Sequence, residues 1–414
     1  LQLRRLPALL MLFALALSPL YLWESGLPQI SHIIAAAAVG LGLLTHPYLH
    51  WKRWWILGLG FVFYAAFVDL IIFAFYGDIH TLLSPLYYIF GFMIFVYLVN
   101  IATNLGKTFI NVVFWIHIIE LLFLTLLSSF GIGQYFGSSR FMGFFNNPNQ
   151  MSNWMLWVAI IASATGKVIY KSWLPGLLAT AIASVAIVFT ASRSAAIGLI
   201  TLFGIYIILG VFLLLRSFKR KLKIKVTSMP IAVALVMVML FSFIGLSAGF
   251  MPVSDVGANI KSQTEFLMYR FFYERDLDDT WEGRGYDRLW KFPQYLLFGA
   301  GEGATQRYAD KTMFTGEIHS DWAAILFNYG FIGSFFFFGF LYALIRDMKI
   351  LWFKLMLLPP FFCGIATYNI RNWSFWVGLA ILYACSELLQ YEMSGEENVC
   401  FQERSVSVLE HNFN

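Results

Sequence analysis

The chain has 414 residues, of which 59% are hydrophobic, 19% aromatic and 12% charged, with a formal net charge of +5. A soluble domain carries about twice that share of charge, so the composition excludes a soluble globular enzyme and points to an all-α integral membrane protein. The cysteines, at 363, 385 and 400, have no metal-ligand spacing and argue against a disulfide framework.

Apolar runs of about 20 residues each cross a hydrocarbon core of ~30 Å as a helix. In chain order the hydropathy predicts about 12 spans, at roughly 6–22, 31–45, 54–76, 83–102, 108–130, 150–165, 174–190, 194–216, 229–249, 321–346, 349–367 and 373–389. The first follows Arg4 and Arg5 and contains Ala14-Leu15-Ala16, which is similar to a signal-peptide cleavage site. We read it as an uncleaved anchor. The second and sixth are short enough to be tilted or partly re-entrant. The resulting organisation is nine spans over 1–249, a large loop over 250–320, three spans over 321–390 and a tail over 391–414. No internal repeat is visible.

With the amino terminus in the cytoplasm, the inner loops hold Arg4, Arg5, Lys52, Arg53, Lys107, Lys167, Lys171, the run Arg216 to Lys225, Arg346, Lys349 and Lys354. The short outer loops hold only Arg140, Arg193 and Arg371. This asymmetry follows the positive-inside rule. It places both termini in the cytoplasm and the 250–320 loop outside.

The outer cations run against that trend. Arg193 stands in the tight turn between the seventh and eighth spans, where the simplest reading is a side chain reaching the outer headgroups. In the large loop, "YDRLWKFPQYLLFGAGEG" reads as an amphipathic or interfacial helix ending in a glycine turn. His319 immediately precedes the tenth span, at a helix amino terminus whose dipole favours anions. The outer face thus gathers Arg140, Arg193, Arg284, Arg288, Arg371 and His319. Arginine stays charged and grips phosphate through paired hydrogen bonds, so the set suits a lipid-linked pyrophosphate at the membrane surface. It equally suits ion pairs with Asp276, Asp278, Asp279 or Asp287. The run Asp276 to Asp279 reads as a divalent-cation site or, more simply, as a solvated loop. Asn146, Asn147, Asn149 and Gln150 suit sugar hydroxyls, although "NNPN" is also a good turn. Within the spans, Asp69, His117 and Glu120 are either packed and paired or the proton path of a carrier.

Four stretches carry a family resemblance: "RFMGFFNNPNQM" (140–151), "TASRSAAIGL" (190–199), "GRGYDRLWKFPQYLLFGAGEG" (283–303) and "EIHSDWAAILFNYGFIG" (317–333). In order and placement they resemble the recurrent motifs of the O-antigen ligase and polymerase superfamily, over about residues 130–345. The resemblance implies a C-type glycosyltransferase-like fold with about 12 transmembrane helices and one large periplasmic loop, in the bacterial inner membrane. It implies metal-independent, inverting transfer from an undecaprenyl-pyrophosphate-linked glycan, with no cofactor and no nucleic acid. Membrane lipid, chain-length regulators and flippases are the implied partners. In that reading His319 is the general base, and Glu302 is a rival base or orients His319. Arg140, Arg193, Arg284, Arg288 and Asn149 hold pyrophosphate or glycan. Ser320 after His319, together with "FNNPNQ", favours a polymerase of lipid-linked repeat units. The alternatives are a ligase acting on lipid A core and, in another class, a polytopic transporter or flippase of lipid-linked glycan.

Overall fold

The computed structural model describes residues 5–24, 26–45, 51–137, 139–219, 255–274, 280–312, 314 and 316–394. The expected ninth span, the acidic run 276–279 and the chain after 394, with Cys400, lie outside the described residues. So do the side chains of the basic run 216–225.

In chain order the helices are α1 (Leu6–Ala16), α2 (Ile30–Thr45), α3 (Trp55–Tyr76), α4 (Leu83–Phe130), α5 (Pro148–Tyr170), α6 (Leu174–Thr190), α7 (Arg193–Lys219), α8 (Asp255–Phe272), α9 (Arg288–Lys291), α10 (Asp321–Asp347), α11 (Leu351–Leu355), α12 (Leu358–Cys363) and α13 (Trp373–Ser394). Among the described residues, four helical stretches are long and apolar enough to cross a membrane: Trp55–Tyr76, Ile79–Phe130, Arg193–Leu213 and Asp321–Asp347. Leu6–Ala16, Ile30–Thr45, Leu174–Thr190 and Leu351–Cys363 are shorter apolar helices. This is an α-helical membrane protein.

Departures from the hydropathy reading have local causes. The expected fourth and fifth spans join as α4, with the loop between them reduced to a kink at Gly106, whose φ is 59°. The stretch 349–367 divides into α11 and α12 where Pro359 and Pro360 remove backbone donors. Before α5, where only a loop was expected, β1 (Gln134–Phe136) and β2 (Arg140–Gly143) pair as an antiparallel hairpin.

Buried side chains of α4, α5 and α13 form the centre of the bundle. Helices meet closely where glycine faces tryptophan: a Cβ on Gly378 would lie 2.0 Å from Trp157 Cε3, and one on Gly91 would lie 2.3 Å from Trp376. Small-against-large contacts of this kind bring helix axes together when lipid supplies no hydrophobic drive.

The two ends of the bundle differ. At one end Lys52 Nζ is 3.0 Å from Glu387, Lys107 and Lys171 both pair with Glu392, and Trp54 Nε1 donates to Asp347 at 3.0 Å. These residues come from loops that the charge count assigns to the inner side, and from the end of α13.

At the opposite end α10 is broken. Gly330 has φ 63°, a left-handed conformation that glycine adopts without strain. The break strands backbone groups at membrane depth, where each must find a protein partner. The glycine-rich segment 296–303 supplies them. Ala300 and Gly301 N–H donate to the Phe327 and Asn328 carbonyls at 2.9 and 2.7 Å, and Phe331 N–H donates to Leu296 O at 2.7 Å. A Cβ on Gly299 would lie 2.3 Å from the Asn328 oxygen, so only glycine lets the two backbones approach this closely. The predicted amphipathic helix is therefore shorter than expected: α9 and a 3-10 turn at Pro293–Tyr295 lead directly into this docked loop.

Candidate active site

The docked loop delivers Glu302 into the bundle. Its backbone N–H donates to Asp69 Oδ1 at 2.7 Å, and Ala304 N–H donates to Asp78 Oδ2 at 2.8 Å. Asp69 Oδ2 also accepts from the Tyr329 hydroxyl at 3.0 Å. The intramembrane aspartate flagged by sequence is thus an anchor for this loop. Glu302 Oε1 accepts from the hydroxyls of Tyr88 at 2.7 Å, Tyr329 at 2.8 Å and Tyr368, while Arg371 Nη1 donates to Oε2 at 3.0 Å. The carboxylate is buried and both its oxygens are engaged. Burial and then the Glu302 charge push the Tyr368 hydroxyl well above its usual range, so it remains a neutral donor. Burial alone would lower Arg371, but Glu317 and Glu302 hold it well above its usual range and fully protonated.

Arg371 faces a cavity of about 500 Å³. Its walls come from the connection between α1 and α2, the starts of α2, α4, α5 and α13, and the segments before α10 and α13. His319, Glu317, Arg371, Tyr87, Asn147 and Asn149 all line it. Two carboxylates act on the arginine, because Arg371 Nη2 also pairs with Glu317.

The sequence "HSD" explains how this wall is built. His319 is exposed to the cavity, with its ring 5.0 Å from that of Phe314 and its backbone N–H on Arg284 O at 3.0 Å. Ser320 caps α10 by accepting from Ala323 N–H at 3.3 Å. Asp321, buried, accepts from Asn369 N–H at 2.5 Å and Ile370 N–H at 2.9 Å. Those two bonds fix the segment that ends in Arg371. Three consecutive residues therefore present the imidazole, start the helix and place the arginine. On the facing wall Asn147 caps α5, accepting from Asn149 N–H at 2.8 Å.

Of the candidates named from sequence, His319 and Asn149 line the cavity, and Glu302 sits behind it through Arg371 and Tyr368. Arg140 is one step removed: Nη2 donates to Asn149 Oδ1 at 2.9 Å and Nε to Thr190 O at 3.0 Å. Burial, with Arg270 and Arg193 nearby, lowers its pKa to about 10, and it remains charged at neutral pH. Arg284 donates to Ala366 O at 2.7 Å and so ties the His319 segment to the Arg371 segment. Arg193 and Arg288 lie elsewhere. Arg193 Nη1 donates to Arg270 O at 3.0 Å near the end of α8, while Arg270 donates to Ala191 O at 2.7 Å just past α6. Cations here satisfy carbonyls that a helix end leaves open. Arg288 is 2% exposed and donates to the Phe314 and Gly316 carbonyls at 2.8 and 2.6 Å. Burial lowers its pKa. Its guanidinium shapes the segment leading to His319.

Sequence reasoning left out Tyr88, Tyr329 and Tyr368, since a tyrosine within or beside an apolar span is unremarkable by type or spacing. Arg371 was visible as one of few outer-loop cations. His117 and Glu120 do not line the cavity; His117 Nδ1 bonds Val113 O at 2.8 Å, and Glu120 accepts from Ser18 at 3.2 Å.

A polytopic helical membrane protein with a histidine, an arginine and amides around one polar cavity is the class that fold and site define. Within it, residues 178–338 match the family Wzy_C, described as O-antigen ligase. That match supports the O-antigen ligase and polymerase superfamily, with a glycan-handling role. No curated protein matches the chain.

Proposed function

We propose that this protein transfers glycan from a polyprenyl-pyrophosphate donor to an acceptor hydroxyl at the periplasmic face of the bacterial inner membrane. The observation that carries the reading is the shared cavity of His319 and Arg371. The acceptor oxygen attacks the anomeric carbon as the bond to pyrophosphate breaks, inverting that carbon. His319 takes the hydroxyl proton, and Arg371 balances charge developing on the leaving pyrophosphate. Asn147 and Asn149 meet sugar hydroxyls, Arg140 orients Asn149, and Glu302 holds Arg371. Asp69 and the three tyrosines fix Glu302 in turn. Arg193, Arg284 and Arg288 hold the loops that form the walls.

The acceptor is another lipid-linked repeat unit, making the enzyme a polymerase; Ser320 and "FNNPNQ" favour this over a ligase. The test is the surface-glycan profile of a deletion strain that makes lipopolysaccharide. A polymerase defect leaves single-unit glycan on the core. Bare core identifies a ligase. Loss of surface glycan with donor trapped on the cytoplasmic leaflet identifies a flippase.

A further inference from the structure

Arg371 divides its guanidinium between two carboxylates of unequal freedom. Nη1 holds Glu302, whose side chain is 3% exposed, and Nη2 holds Glu317, whose side chain is 50% exposed. One cation between two anions makes a locally negative site, which repels an incoming pyrophosphate. Glu302 cannot leave, because three tyrosine hydroxyls and the arginine occupy both its oxygens. Glu317 can. It lies on the segment before α10, at the cavity wall, and a water-exposed ion pair of this kind holds weakly.

We propose that Glu317 is a displaceable place-holder on Arg371. The donor pyrophosphate takes over Nη2 and releases the Glu317 carboxylate two residues from His319. There it accepts a hydrogen bond from the imidazolium that forms when His319 takes the acceptor proton. Glu317 forms no bond to carbon and stays ionised throughout; it is a positioning residue. Donor binding and arming of the base are thereby coupled, so His319 gains its carboxylate partner only when there is a leaving group to expel. This rests on the reading of Arg371 as the pyrophosphate ligand.

The test uses the full-length protein in nanodiscs, with undecaprenyl pyrophosphate carrying no sugar as the binding probe. Glu317→Gln removes the competing charge and should bind the probe about 3–10-fold tighter than wild type. In single-turnover transfer at saturating donor it should be slower by roughly tenfold, because the imidazolium has lost its partner. Tighter binding with slower transfer is a split that a merely structural role does not produce. Arg371→Gln should bind the probe weakly, and the double variant should show no gain over it. Unchanged or weaker binding by Glu317→Gln, or transfer at the wild-type rate, overturns the exchange while leaving Arg371 as ligand. Wild-type binding by Arg371→Gln overturns the underlying reading itself.

Discussion

Arg371 Nη1 lies 3.0 Å from Glu302 Oε2, joining the segment before α13 to the loop that fills the break in α10. The pair predicts how Glu302 variants behave. Glu302→Ala leaves Arg371 with Glu317 alone and removes a buried acceptor from three tyrosine hydroxyls, of which Tyr329 keeps Asp69; losing a buried acceptor costs about 1–3 kcal/mol. Its melting temperature in detergent should fall clearly. Glu302→Gln keeps an acceptor for the tyrosines and should stay folded, yet slow transfer, because Arg371 is no longer held by a charged partner. A Glu302→Gln enzyme with normal donor binding, a normal melting temperature and a rate lowered at least ~10²-fold would return Glu302 to the role of base.

His319 carries the proton transfer in the proposed reaction. His319→Ala should bind donor nearly as wild type and turn over at least ~10²-fold more slowly. His319→Gln, which keeps a hydrogen bond but accepts no proton at neutral pH, should match it. Single-turnover transfer with a lipid-linked repeat unit makes the measurement; most of the wild-type rate in His319→Gln would reduce the histidine to acceptor placement.

Arg288 and Arg371 should separate stability from activity. Arg288→Ala strips donors from two loop carbonyls and should lower stability by about 2–3 kcal/mol, seen as lower protein level and earlier melting. Arg371→Gln should fold and fail to transfer. Arg193→Ala should behave like Arg288→Ala, because its guanidinium serves the carbonyls near the end of α8. Full stability with abolished transfer in Arg193→Ala would instead place that side chain on substrate.

Orientation is open to a labelling test. Cysteine at Gly137 or Ser262, both exposed, should react with an impermeant maleimide added outside spheroplasts, whereas cysteine at Ser217 should not. The reverse pattern would put the cavity on the cytoplasmic side.

Purified enzyme should keep its activity in excess EDTA, since arginine supplies the charge on the leaving group in the proposed mechanism. Activity lost to EDTA and restored by magnesium or manganese would bring the 276–279 aspartates into the reaction.

Much of this was legible in sequence for physical reasons. Lipid leaves apolar runs as the dominant signal, so α3, α4, α7 and α10 stood out by length alone. His319 stood out as an ionisable group at the start of one of them. What was not legible required knowing which backbones touch. The pairing of Glu302 with Arg371 depends on the 296–303 segment docking at Gly330. No periodicity announces that contact. Arg193 and Arg288 looked like ligands because charge at a membrane surface suggests one. Both donate to backbone carbonyls at helix ends and turns, contacts that a one-dimensional count of cations does not register.

The break at Gly330 also bears on how the protein is made. Segment 296–303 leaves the ribosome before α10, so it must be on its own side of the bilayer when the helix is threaded in. Until the two meet, the Phe327 and Asn328 carbonyls have no partner in hydrocarbon, and each such group costs several kcal/mol. A chain whose loop fails to dock therefore presents an incomplete membrane helix to the cell's proteolytic surveillance. Because that loop carries Glu302, the survivors of such surveillance are the copies in which the carboxylate that holds Arg371 is already in place.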